Sequence, residues 1–239
     1  MLNKLKVEEL IEKTKSSSPN PGGGGISSIV GALGASLSIM AYNISKGKKS
    51  YKDLDKNILE EIDKSIENID RSINELEIYL TKDGNAFQGV LDALRLPKDD
   101  ESRKSKLEEG YKEASRSPFI IANLLLEILK NQEILSKYMD KTAISDVAIS
   151  IIISYAALDS VLYNVSINLH GLKEEDRSLA EKEMEKLRKE SKELMDKNLS
   201  LIEKRMWNNG TSIFLDNKYN NDININIFGI FSNELYRTI

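Results

Sequence analysis

Ser18-Pro19-Asn20-Pro21-Gly22-Gly23-Gly24-Gly25 runs straight into an apolar segment, residues 26–40. The two prolines hold the entry stiff, and the glycines behind them allow close backbone approach. A helix expected from about Ile26 leaves its first N–H groups unpaired, which suits an anionic or amide-rich ligand lying above the loop. A flexible tether between two helices is the bland alternative. Prolines and an apolar helix bracket the glycines, however, and a free linker needs neither, so a binding lip is favoured. A second position stands out by its charge. Ile66, Ile69, Ile73, Leu76 and Leu80, then Phe87, Val90 and Leu94, alternate in steps of three and four, and Asp83 occupies the place missing from that series. A carboxylate in a packed seam costs several kcal/mol unless paired or used. Gly84 beside it lowers helix propensity by roughly 1 kcal/mol and opens room. A structural acid, paired with a buried Lys or capping a neighbouring helix, would explain Asp83 alone; the adjacent glycine favours a site.

Ser145-Asp146 opens another apolar stretch, and locally an N-cap followed by a first-turn acid is the stronger reading. Yet Asp146, Ser150, Ser154, Asn164 and Asn168 fall along one side of a helix otherwise suited to burial. Asp146 and Asn164 lie roughly 27 Å apart at 1.5 Å per residue. Within one chain they cannot grip the same small group. Either they serve two ends of a long ligand, or a dimer brings opposite ends together. Lys46-Gly47-Lys48-Lys49-Ser50-Tyr51 follows the first apolar helix, where cations complement the C-terminal dipole. The alternative there is a dock for a polyanionic tail. His170, just before Gly171, suits a helix end better than catalysis.

The elements that must hold these residues are helical almost throughout. Val7, Leu10 and Ile11 mark a short amphipathic helix within 4–15, and residues 26–45 are apolar or small on every face. Gly31-Ala32-Leu33-Gly34-Ala35 permits close helix contact there. One long pattern runs from 53 to 96 and stops at Pro97. A further helix spans 101–116, Pro118 is placed to start a new one through 119–138, and 145–169 is very apolar. Residues 174–207, dense in Glu and Lys at i,i+4 spacing, suit a solvated outer helix. A membrane span at 143–169 is long enough, but Asp146, Ser150, Ser154, Asp159, Asn164 and Asn168 are expensive in hydrocarbon. Two helices apolar on most sides are more than one small bundle covers, which favours a homodimer. The fold class expected is all-α, a homodimeric bundle of long antiparallel helices over residues 1–207. Residues 208–239 are Asn-rich, alternate like a strand near 220–228, and are expected to form a disordered tail without a functional role.

Composition narrows the partners. The 239 residues are 40% hydrophobic and 30% charged, ordinary for a soluble globule. A net charge of −4 argues against nucleic acid. With no cysteine there is no disulfide, thiolate nucleophile or thiolate metal site, and a single histidine rules out a multi-histidine zinc site. Met1-Leu2-Asn3-Lys4 lacks a basic-then-apolar leader, so a cytoplasmic location is expected, with neither nucleic acid nor membrane as partner.

Taken together, Ser18-Pro-x-Pro-Gly-Gly-Gly, Gly31-x-x-Gly34, Gly47-Lys48-Lys49-x-Tyr51, Asp83-x-x-Ala86-Phe87, Leu96-Pro97-Lys98, Ser145-Asp146 and Asn164-Val165-x-Ile167-Asn168-Leu169 resemble the formiminotetrahydrofolate cyclodeaminase family. That family includes stand-alone bacterial methenyltetrahydrofolate cyclohydrolases. The motifs run in one order from about residue 5 to 205, and the Pro-Gly lip is the most specific. The resemblance implies an all-helical dimer acting on the one-carbon unit of tetrahydrofolate, with no metal and no cofactor beyond that substrate. It also implies Asp83 and Asp146 as the catalytic carboxylates, stabilising an amidinium-like cation and moving protons. Pro21, Gly22, Gly23, Gly24 and Gly25 would contact folate together with Ser145, Asn164 and Asn168. Lys48 and Lys49 would meet its glutamate tail. A folate-binding or structural helical dimer without catalysis is the alternative of a different class.

Overall fold

The computed structural model describes residues 2–18 and 20–206. A 3-10 turn at Leu2–Lys4 precedes α1 (Val7–Lys15), α2 (Gly23–Lys46), the single turn α3 (Lys49–Lys52), α4 (Lys56–Ala86), α5 (Gln88–Arg95), α6 (Arg103–Tyr138), α7 (Ile144–Asn168) and α8 (Glu174–Met206). A second 3-10 turn, Leu169–Gly171, links α7 to α8. The described residues contain no strand, and the fold is all-α. The strand-like run near 220–228 and the expected tail lie outside the described residues.

The three-four seam of α4 is the core-facing side of that helix. Ile69, Ile73, Leu76 and Leu80 are buried, and the first three share one core with Ile121, Leu125, Ile128 and Leu129 of α6 and Val147, Ile151, Leu158 and Leu162 of α7. Helix α2 lies between α4 and α7. A Cβ on Gly34 would sit 2.4 Å from Ile153 Cγ2, so only a glycine lets α2 come this close to α7. Ser38 pairs with Ser150 at 2.8 Å, and Ser45 Oγ accepts the Asp140 N–H at 2.9 Å near the far end. Against α4, Ser28 Oγ donates to the Leu76 carbonyl and Tyr42 O–H to Asp63 at 2.5 Å.

Four expectations change. The lip helix begins at Gly23, with Gly22 as N-cap, rather than near Ile26. The single run at 53–96 is broken at Phe87, because α5 turns to pack its start on α6. A Cβ on Gly110 would lie 2.9 Å from the Val90 nitrogen, a contact that a straight continuation of α4 would not make. Leu94, read as part of the seam, is exposed in consequence. Pro118 starts no helix: it sits inside α6. An interior proline deprives the carbonyl four residues back of its donor, and that carbonyl, Ala114 O, receives Asn168 Nδ2 at 3.0 Å instead.

Helices α2 and α7 are not buried all round within one chain. Val30, Leu33, Met40 and Ile44 form an exposed stripe on α2, and Ile149, Ile152, Tyr163 and Ile167 form one on α7. By length and composition Gly23–Lys46 and Ile144–Gly171 could each cross a membrane. In this fold their inner faces pack against α4, α6 and each other, with Ser38, Ser150, Ser154 and Asn168 buried among them. Helix α8 keeps its acids and lysines outward, as its composition predicts, and anchors through Met184, Leu187 and Ile202 and through Asn198 Nδ2 on the Leu129 carbonyl at 2.9 Å.

Candidate active site

The glycine run is the first turn of α2, and its amides have no helical partners. Pro21 is buried, and the Asn20–Pro21 peptide is cis. Two side chains close over this turn from different helices. A Cβ on Gly24 would lie 2.4 Å from Asp83 Oδ2 of α4 and 2.5 Å from Asn164 Nδ2 of α7. A Cβ on Gly23 would lie 3.2 Å from Asn164 Oδ1, and one on Gly25 would lie 2.8 Å from the Leu80 carbonyl. The glycines are thus required by close approach: any side chain there displaces the acid, the amide or the α4 backbone.

Asp83 is the ionisable group of this cluster. Burial pushes its carboxyl above the usual range, while the Ser117 hydroxyl and the Gly25 amide pull it back. The net displacement is upward, which favours the protonated form more than in an exposed carboxyl. The room that Gly84 opens is filled by Asn20: a Cβ on Gly84 would lie 2.3 Å from Asn20 Cγ. Asn20 Oδ1 is buried with no hydrogen-bond partner. Asn20 and Ser117 were missed by the sequence reading, although each adjoins a proline that fixes its backbone.

The structure brings together Pro21, Gly22, Gly23, Gly24, Gly25, Asp83 and Asn164. Of the remaining candidates, Asn168 lies one turn beyond Asn164 on α7, and the others are not brought to the turn. Asn168 spends its amide nitrogen on Ala114 O and is a support for α6 at Pro118. Ser145 is exposed and is not the N-cap of α7, a place taken by Ala143; Asp146 is the acid of that first turn. Lys48 and Lys49 are exposed beyond the other end of α2. Around them Ser50 Oγ donates to Asp140 Oδ2 at 2.6 Å, and with the Thr142 donors it holds the Asp140 carboxyl down at about 2. Helix α2 is 24 residues long, roughly 36 Å, so these groups and the glycine turn stand at opposite ends of one chain. Among the described residues no three His, Asp or Glu side chains converge as a metal site.

A family model described as formiminotransferase-cyclodeaminase matches residues 6–186, which include the glycine turn, Asp83 and Asn164. The chain belongs to this family. Among formiminotransferase-cyclodeaminase relatives, a methenyltetrahydrofolate cyclohydrolase of Methylorubrum extorquens is 32% identical over 185 residues, covering 76% of this chain and 86% of that protein. A formimidoyltransferase-cyclodeaminase of Gallus gallus is 28% identical over 190 residues, covering 77% of this chain but 34% of the longer protein. The crystal structure of a formiminotetrahydrofolate cyclodeaminase from Thermotoga maritima superposes with a TM-score of 0.77 at 23% identity, over 87% of this chain and all of that one. That likeness establishes a shared all-helical fold.

Proposed function

We propose that this protein is a folate one-carbon enzyme, a 5,10-methenyltetrahydrofolate cyclohydrolase in the first instance. The observation that carries the reading is the Asp83 carboxyl, raised by burial and set against the first turn of α2 beside Asn164. The near-full-length relative with that name supports cyclohydrolase over cyclodeaminase. In the hydrolase reaction a water oxygen adds to the methenyl carbon and gives up a proton, for which Asp83 is the acceptor. The carbinolamine then collapses: C=O forms, the C–N5 bond breaks, and N5 takes a proton as 10-formyltetrahydrofolate leaves. One proton is released overall. Ionised Asp83 also stabilises the amidinium-like carbon, while Asn164 and the free amides of residues 22–24 hold the pterin amide edge. Cyclodeamination is the second reading, favoured by the 190-residue match to the longer cyclodeaminase. There N10 attacks the formimino carbon, and a protonated Asp83 delivers the proton with which ammonia departs. Both are proton-transfer reactions that draw on no cofactor beyond tetrahydrofolate.

The working unit we propose is a homodimer of long antiparallel helices in which the exposed stripes of α2 and α7 are covered by a second copy. This would carry Asp146, Ser145, Lys48 and Lys49 of one copy toward the glycine turn of the other. Purified protein incubated separately with 5,10-methenyl- and 5-formiminotetrahydrofolate tests the reading through methenyl absorbance. The expected result is loss of the methenyl signal well above the spontaneous rate. Absence of turnover with both substrates would leave the non-catalytic folate-binding alternative.

A further inference from the structure

A buried acceptor without a donor stands next to Asp83. Asn20 reaches α4 from the lip: a Cβ on Gly84 would lie 2.3 Å from its Cγ and 2.4 Å from its Oδ1. Its backbone is tied down as well, since the Asn20 N–H donates to Ser18 Oγ at 3.4 Å and its carbonyl accepts the Ser18 O–H at 3.1 Å. Yet Asn20 Oδ1 is buried with no hydrogen-bond partner among the described residues. Leaving such an acceptor unmet is costly, whereas an apolar group of the same shape would carry no such cost. Ser117 is the second unusual group here. Ser27, Ser45, Ser115 and Ser136 send their hydroxyls back to the carbonyl four residues earlier in their helices. Ser117 does not: its Oγ is buried without such a partner, on the α6 side of the Asp83 carboxyl.

Asp83 and Gly84 are consecutive on α4, with Cα atoms about 3.8 Å apart, so the Asp83 carboxyl and the Asn20 carboxamide occupy neighbouring positions on that helix. A water that donates one hydrogen to each of two acceptors, at about 2.8 Å, bridges oxygens up to roughly 5.6 Å apart. Buried waters make about three hydrogen bonds, and Asp83, Asn20 and Ser117 supply that number from α4, the lip and α6. A substrate N–H is the other donor that Oδ1 could take, but a closed position with polar groups on three sides suits a water better than the edge of a ring. We propose that Asn20 orients the attacking water of the hydrolase reaction, its Oδ1 holding the hydrogen that Asp83 does not take. With both hydrogens engaged, a lone pair of the oxygen is left for the methenyl carbon. The O–C bond forms, the C=N electron pair moves onto nitrogen, and one proton passes to Asp83. The hydrogen kept by the oxygen stays on Asn20 Oδ1 as the carbinolamine hydroxyl. This assignment rests on the cyclohydrolase reading above.

The test pairs kinetics with crystallography of the full chain. Asn20→Leu keeps the outline of the side chain and removes the acceptor, so this variant should melt no lower than the native protein. With 5,10-methenyltetrahydrofolate its kcat should fall about tenfold to hundredfold while KM stays within about twofold, because water and not substrate has lost a partner. A crystal structure of the native chain should show an ordered water within hydrogen-bond distance of both Asn20 Oδ1 and the Asp83 carboxyl, and a crystal of Asn20→Leu should lose it. Unchanged kcat in the folded variant overturns the proposal. So does a KM raised about tenfold or more, with or without a fall in kcat, since that result assigns Oδ1 to a substrate N–H. Should Asn20→Leu fail to fold, the native crystal decides: a water bridging the two side chains supports the site, and none overturns it. If the native chain turns over no folate, the enzymatic reading fails, and the same crystal still judges the water position.

Discussion

Asp83 shows how one carboxyl can be legible as unusual without its role being legible. Its place in the seam marks it as buried, but a structural acid and a working one share that signature. The upward shift of its carboxyl fixes instead what a neutral isostere should do to stability. A carboxyl raised in the folded state holds its proton more tightly than in the unfolded chain, so ionisation costs stability once the pH exceeds the ordinary carboxylate range. Asp83→Asn removes that cost while its Oδ1 can still accept from the Gly25 amide. Its melting temperature at pH 8 should therefore equal or exceed that of the native protein, with the difference shrinking toward pH 4. The same variant should lose about 10²-fold or more in kcat. A stable, fully active Asp83→Asn protein, with kcat and melting measured on one preparation, would end the catalytic assignment. Gly24→Ala probes the same cluster from the backbone. Its Cβ would intrude between Asp83 and Asn164, and we expect about 1–3 kcal/mol of destabilisation from overpacking together with a fall in kcat. Denaturant melts and turnover read the two effects independently.

At the scale of the element, Pro118 and Asn168 form a unit. A proline in the middle of a 36-residue helix survives because Asn168 reaches from the end of α7 to the carbonyl that the ring leaves unpaired. Asn168→Ala should cost about 1–3 kcal/mol by leaving a buried carbonyl without a donor. In a Pro118→Ala background the restored N–H can supply that donor, so the same change should cost distinctly less. A double-mutant cycle in urea measures the difference. Additive costs would show that Asn168 acts elsewhere, and a selective rise in KM without loss of stability would return it to the substrate.

The whole molecule presents two apolar stripes that one chain does not cover. Leu33 and Ile152 are each about half exposed or more, at 65% and 48%. Light scattering at micromolar concentration should give a dimer for the native chain. Leu33→Arg or Ile152→Arg should give a folded monomer with kcat reduced at least tenfold, because in the proposed dimer it is the second copy that would bring Asp146 and the lysines past α2 to the glycine turn. A monomeric variant with native kcat would leave the dimer intact as an assembly but remove it from the active site. A native monomer with full helical circular dichroism would sink the assembly itself.

What the sequence determined alone was what depends on neighbours along the chain. Periodicity marked the helices and the buried face of α4, the Pro-Gly run marked a constrained helix start, and the ordered motifs pointed to the family. It could not place α5 or Pro118, because a break and a continuation are both locally acceptable. Packing on Gly110 imposed the break, and a side chain from α7 permitted the continuation. Nor could it sort the candidate residues, since spacing measures distance only within one helix. Tertiary structure drew Asn164 to Gly24 and Asp83, spent Asn168 on a carbonyl, and sent Lys48, Lys49 and Asp146 to the opposite end. The reason is geometric: a rigid helix of roughly 36 Å holds its two ends apart, and only the packing of other helices decides which side chains gather at each.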